Sequence, residues 1–218
     1  MKLLLTSAGV RNPTIQDALV ELLGKPIAEA NALCIPTGSW GHHSFAGAWR
    51  FISGNSPLNM TNLGWQSVAV LELTALPTMD REQWAPVVEE ADVLLANGGD
   101  ACYIAHHMRL SGMDELVPKL DNVWVGLSAG SMVMTPRIGK DFMTWQPPSG
   151  SDETLGIVDF SIFPHLDSPG LDENTMAGAE RWAAEIGNPS YAIDDDTAIR
   201  VVDGNVDVVT EGNWRRFD

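Results

Sequence analysis

Three features in the second half of the chain can do nucleophilic chemistry together: a serine between glycines, a lone histidine and a run of carboxylates. Gly126-Leu127-Ser128-Ala129-Gly130 fits G-x-S-x-G, in which a serine stands on a strained strand-to-helix corner and projects its hydroxyl above a sheet. Its flanking glycines have a steric reason, because neighbouring turns approach closely there and a Cβ at either flank clashes. The helix behind the serine brings unsatisfied N–H groups and a positive dipole end, which favour negative charge beside the hydroxyl. Ser128 is therefore the candidate nucleophile. His165 is the only histidine C-terminal to it, and it follows Pro164 at the end of an apolar run. An imidazole is the base of near-neutral pKa that a serine needs. The other histidines form the pairs His42-His43 and His106-His107, whose neighbours point apart on a helix and make weak metal ligands. Further on, Asp194-Asp195-Asp196-Thr197 puts three carboxylates at a strand end. On the residues alone this is a solvated acidic turn, a cation site, or the source of a carboxylate that fixes the tautomer of His165.

A second turn, Asn97-Gly98-Gly99-Asp100, carries paired glycines that let backbone N–H groups face a reacting carbonyl. The N–H groups of Gly99 and Ala129 are the candidate oxyanion hole. Asp100 either caps the next helix or, with Asp194, faces the substrate.

These residues need elements to hold them. Lys2 to Ser7, Asn31 to Pro36, Ser67 to Leu73, Asp92 to Ala96 and Val123 to Leu127 read as strands. Thr14–Leu23, Ser44–Ile52, Asp80–Ala91, Ala101–Leu110 and Asp114–Leu120 read as helices between them, and Ala129–Met134 as a helix behind the serine. Such alternation predicts an α/β fold, a mainly parallel sheet with helices on both faces and its ligand crevice at the carboxyl ends of the strands. Pro136 to Gly156 is a long polar segment that frames or lids a site. Ile157 to Phe163 reads as the strand that delivers His165, Glu173 to Ile186 as a helix, and Ser190 to Ile193 as the strand before the aspartates. Ala198–Val202 and Asn205–Thr210 alternate around Asp203-Gly204, a hairpin signal, and Asn213–Phe217 adds a last edge strand.

The chain has 218 residues, suited to a single domain over 1–218, and a net charge of −16 from 29 acidic and 13 basic side chains. That balance argues against nucleic acid or an anionic membrane as a partner. Two cysteines, Cys34 and Cys102, speak against a disulfide framework and for packing in a reducing compartment. No apolar stretch approaches the roughly 20 residues of a membrane span, so a cytoplasmic protein is expected.

Together, Asn97-Gly98-Gly99-Asp100, Gly126-Leu127-Ser128-Ala129-Gly130, Phe163-Pro164-His165 and Ile193-Asp194-Asp195-Asp196-Thr197-Ala198 resemble the aspartyl dipeptidase (peptidase E) family over most of the chain. The order Ser, His, acid separates the chain from α/β-hydrolases, where the acid precedes the histidine. The resemblance implies a class I glutamine-amidotransferase-like fold with serine in place of cysteine. It also implies a Ser–His–acid hydrolase that cleaves after an N-terminal Asp. Asp195 matches the position that is commonly Glu, one methylene longer. Two departures bear on the substrate: Gly98-Gly99-Asp100-Ala101 stands where Gly-Gly-Asn-Thr is usual, and Glu173-Asn174-Thr175-Met176 carries no Arg, the next being Arg181. Loss of a bidentate carboxylate partner relaxes or changes selectivity. The expected protein is a serine peptidase of small peptides, monomer or homodimer, acting through Ser128, His165 and Asp195 and an acyl-enzyme, with neither metal nor organic cofactor. Its rivals are a broad amidase or esterase with the same triad, and a ligand-binding protein without turnover.

Overall fold

Alternate side chains of the central strands face opposite ways, and both sets are apolar. The computed structural model describes residues 1–218. In chain order its elements are β1 (Lys2–Thr6), α1 (Pro13–Leu23), β2 (Asn31–Ile35), α2 (Gly38–Gly41), α3 (Phe45–Ile52), β3 (Ser67–Val70), α4 (Arg81–Glu90), β4 (Val93–Ala96) and α5 (Ala101–Ser111). There follow α6 (Met113–Leu116), β5 (Val123–Leu127), α7 (Ala129–Met132), β6 (Ser161–Phe163), α8 (Met176–Ile186), β7 (Ser190–Ile193), β8 (Thr197–Val202), β9 (Asn205–Thr210) and β10 (Trp214–Phe217).

A seven-stranded sheet runs in the order β3-β2-β4-β5-β1-β8-β9. Its first five strands are parallel, and β8 and β9 join antiparallel. Leu3, Leu5, Leu33, Leu94 and Trp124 pack on one face against α4, α5 and α6. Leu4, Cys34, Leu95, Val123 and Val125 pack on the other against α1 and Phe51 of α3. The expected α/β architecture is thus present, with the switch at β1 and β5 where the fold brings strand ends together. Thr6 pairs with Leu127 and Ala96 with Gly126, so β1, β4 and β5 finish side by side.

Caps explain several boundaries. The Asn12 side chain accepts the Ile15 N–H and Pro13 opens α1, while Gly24 at φ 69° closes it. The hairpin expected around Asp203-Gly204 forms between β8 and β9, with both residues at positive φ as a type I′ turn requires. Both cysteines are buried and free, and burial pushes the Cys34 thiol up to about 11 and the Cys102 thiol to about 12.

Four expectations need correction. The run Ile157 to Phe163 is a strand only at Ser161–Phe163, because the Ile157 and Val158 N–H groups both turn to the Met134 carbonyl and their side chains pack on the core without a sheet partner. Ser67 to Leu73 pairs only to Val70, after which Glu72 turns to bind Thr37 and Trp40. The helix expected over Glu173–Ile186 starts at Met176, since Thr175 is extended and caps it. The helix behind Ser128 stops at Met132, where Met134 and Thr135 make tighter three-residue bonds. β2 ends at Ile35, and Pro36-Thr37 leads into α2. The last strand, β10, pairs with β7 in a separate three-stranded sheet, β10-β7-β6. No helix is long and apolar enough to cross a membrane.

Trp124 is 1 % exposed, and its indole N–H donates to the Gly130 carbonyl at 2.9 Å. Trp124→Phe leaves that carbonyl unbonded, so it should cost about 1–3 kcal/mol. The cost is read as a lower urea midpoint at unchanged m-value.

Candidate active site

The end of β5 and the start of α7 hold Ser128 at φ 50°, ψ −112°. A side chain tolerates that backbone only where the surroundings enforce it. Here a Cβ on Gly126 would lie 2.4 Å from the Gly130 carbonyl oxygen, and one on Gly130 would lie 2.2 Å from that of Ala96. The elbow is further tied by the Ser128 N–H to the Thr6 carbonyl at 3.0 Å and by Ser131 Oγ to the same oxygen at 2.7 Å. Gly99 follows β4 at φ 127°, and a Cβ there would meet the Gly38 oxygen at 2.0 Å. The Gly99 and Ala129 N–H groups make no hydrogen bond within the chain, and both residues line the cavity above Ser128.

His165 comes from the connection after β6 and stands at φ 59°. Its Nε2 lies 3.0 Å from Ser128 Oγ and its Nδ1 2.7 Å from Asp195 Oδ1. With Nδ1 protonated toward the carboxylate, Nε2 is free to accept the serine proton. The structure therefore brings Ser128, His165 and Asp195 into one hydrogen-bonded chain. It also separates the three aspartates. Asp194 Oδ1 accepts from the Asp196 N–H and Thr197 Oγ1 while Oδ2 accepts from the Asn213 N–H, so Asp194 anchors the acid turn and does not face the substrate. Asp196 lies 3.8 Å from Arg11 with its side chain half exposed.

Asp100 likewise departs from the substrate-facing reading. It is wholly buried, accepts the Tyr103 N–H as the cap of α5, and accepts the Thr144 and Trp145 N–H groups at 2.8 and 2.6 Å. It clamps the 140–145 segment, whose Thr144 lines the cavity. Tyr103 and His106 add aromatic contacts to Trp145 at 5.2 and 5.0 Å.

Sequence reasoning misses Ser7, Arg11 and Ser168. Each gives a hydrogen bond to Asp195: Ser7 Oγ at 3.1 Å, Arg11 Nη1 at 3.2 Å and Ser168 Oγ at 2.8 Å. The hydrogen bond from His165, with those from Ser168 and Ser7, holds the Asp195 carboxyl down at about 2 against the opposing effect of burial. It misses Arg50 as well. The cavity holds about 610 Å³, and Arg50 of α3 is the one Lys or Arg side chain among its lining residues. His42 and Asp141 also line it, whereas Arg181 does not. No three His, Cys, Asp or Glu side chains converge as a metal site would need.

A strained serine on a strand-to-helix elbow, within hydrogen-bond reach of an imidazole, has the geometry that nucleophilic acyl transfer requires. The chain belongs to peptidase family S51, the peptidase E family, whose model matches residues 3–209, and it is a serine-type peptidase. Its fold is similar to that of a candidate peptidase E protein from Listeria monocytogenes EGD-e, at TM-score 0.70 and 19% identity over 97% of this chain and 98% of that one. It is also similar to a peptidase from an acI-B1 Actinobacterium, at TM-score 0.64 and 20% identity over 99% of this chain and 93% of that one. No curated protein matches the sequence.

Because the Asp195 carboxyl is depressed to about 2 from 3.8, its contribution to stability is complete above pH 3.8 and lost as pH falls through about 2. Asp195→Asn should thus be less stable than wild type at pH 7 by about 2 kcal/mol. The gap should close between pH 4 and 2, as followed by urea unfolding at several pH values.

Proposed function

We propose that the protein hydrolyses small peptides by acyl transfer through Ser128, His165 and Asp195. The observation that carries this reading is the continuous contact from Asp195 Oδ1 through His165 Nδ1 and Nε2 to Ser128 Oγ, at 2.7 and 3.0 Å. In the forward step Ser128 Oγ bonds to the scissile carbonyl carbon and its proton passes to His165 Nε2. Asp195 stabilises the imidazolium without taking the proton. The Gly99 and Ala129 N–H groups face the carbonyl oxygen as it gains charge, and His165 returns the proton to the leaving amine. Water then attacks the acyl-enzyme with His165 again as base.

The preferred substrate is a dipeptide with an acidic residue on the acyl side. Arg50 supports this, since it lines the cavity and joins no ion pair in the chain. A guanidinium on α3 would do the work of the arginine that Glu173-Asn174-Thr175-Met176 lacks.

A panel of Asp-Xaa, Glu-Xaa, Asn-Xaa and uncharged dipeptides with one aryl ester tests the reading. Ser128→Ala should lower kcat by about a million-fold, as loss of the nucleophile does in well-studied serine hydrolases. Wild-type turnover that survives this change refutes the mechanism. Arg50→Ala should raise KM for Asp-Xaa about 10-fold with kcat nearly unchanged, the signature of lost uniform binding. Equal KM values in both proteins would remove Arg50 from recognition. Ester turnover alone would favour the broad amidase or esterase.

A further inference from the structure

Ser7 follows β1 and is wholly buried, yet its hydroxyl is aimed at the site and not at the core. Its Oγ accepts the backbone N–H of His165 at 2.7 Å. The same Oγ lies 3.1 Å from Asp195 Oδ1 and 3.3 Å from His165 Nδ1. The hydroxyl has one proton to give and two possible acceptors beside it. With the imidazole proton on Nδ1 and directed to Asp195 at 2.7 Å, the Ser7 hydroxyl donates to the carboxylate. One side chain thus joins the main chain of the base to the oxygen that orients its ring.

The preceding residue completes the connection. The Thr6 carbonyl accepts the Ser128 N–H and the Ser131 hydroxyl, and Thr6 Oγ1 donates to the Gly126 carbonyl at 2.7 Å. The dipeptide Thr6-Ser7 therefore touches the nucleophile elbow with one residue and the base–acid pair with the next. His165 needs such a hold. It sits at φ 59°, a backbone state unfavourable for a non-glycine residue, on a connection outside the central sheet.

We infer that Ser7 is a positioning residue that sets the reach between His165 and Ser128 by holding the His165 backbone and the Asp195 carboxylate in one geometry. The inference rests on the hydrolase reading above. Ser7 itself transfers no proton to substrate.

The test is the rate at which Ser128 is labelled by a fluorophosphonate, which reports an activated serine without any choice of peptide. It is paired with the proton NMR resonance of the His165 Nδ1–H, which reports the His165–Asp195 contact without any turnover. Ser7→Ala should be labelled about 10- to 100-fold more slowly than wild type, the worth of a hydrogen bond to a charged group. Its Nδ1–H resonance should shift or broaden. Ser7→Thr keeps the hydroxyl and should recover most of the rate. Wild-type labelling with an unchanged resonance in Ser7→Ala overturns the inference, as does an equal loss in Ser7→Ala and Ser7→Thr, which would assign the effect to packing. Should Ser7→Ala not fold, Ser7→Cys keeps nearly the same volume with a weak donor and is read in the same way. If the wild type itself resists the reagent, the hydrolase reading fails, and the resonance alone decides on Ser7: displaced in Ser7→Ala it supports the role, unchanged it overturns it.

Discussion

The backbone of Ser128 at φ 50°, ψ −112° is the constraint to which the surrounding structure answers. Such a conformation costs about 1–3 kcal/mol and persists only where neighbours over-determine it. Two kinds of neighbour do so. Glycines at 126 and 130 let the turn close on itself and on the end of β4 at distances no Cβ permits. Hydrogen bonds from Ser128, Ser131 and Trp124 then fix the closed turn to β1 and within itself. The strands that hold these partners are buried on both faces, so the strain is set against the best-packed part of the chain. A hydroxyl raised above the sheet follows from the geometry of the corner.

His165 and Asp195 reach this corner from outside the parallel strands. Asp195, with its single methylene, still brings its carboxylate to 2.7 Å from His165 Nδ1. Four contacts hold the turn. Asp194 is tied to Thr197 and Asn213, Asn12 donates to the Asp196 carbonyl at 3.0 Å, and Arg11 lies against Asp195. The C-terminal hairpin and β10 thereby bear on the chemistry: Thr197 opens β8, and Asn213 immediately precedes β10. The hydrogen bonds to Asp195 from His165, Ser168 and Ser7 keep it ionised, which is the state an imidazolium at His165 would require.

Legibility in the sequence followed the locality of the physics. The elbow was readable because its glycines, serine and apolar strand are adjacent and have one steric cause. The parallel sheet was readable because fully buried strands are continuous apolar runs. His165 was readable by elimination, as the lone histidine after the serine. The choice among Asp194, Asp195 and Asp196 was not, since three neighbouring carboxylates differ only in the direction the turn gives each. Of the two readings open for Asp100, the cap holds, and its second role is illegible for a related reason: the segment it clamps, around Thr144 and Trp145, lies more than 40 positions away. Ser7, Arg11 and Arg50 carried no signal, because a serine after a strand and an arginine on a polar face are ordinary until a distant segment arrives beside them. The same blindness made Ile157 to Phe163 look like one strand, since burial beneath a core and burial in a sheet leave the same apolar pattern.

The site divides its tasks between two kinds of structure. Ser128 and Ser7 stand at the ends of neighbouring strands, where a shift of a few tenths of an ångström would break bonds to the sheet itself. The walls that meet a substrate come instead from connections: α3 with Arg50 on one side, and on another the 140–145 segment held by Asp100. Connections tolerate exchange of residues in a way strand ends do not. In the proposed reading, a cation on α3 serves the substrate without touching the contact from Asp195 to Ser128. This arrangement lets selectivity change while the bond-breaking geometry stays fixed.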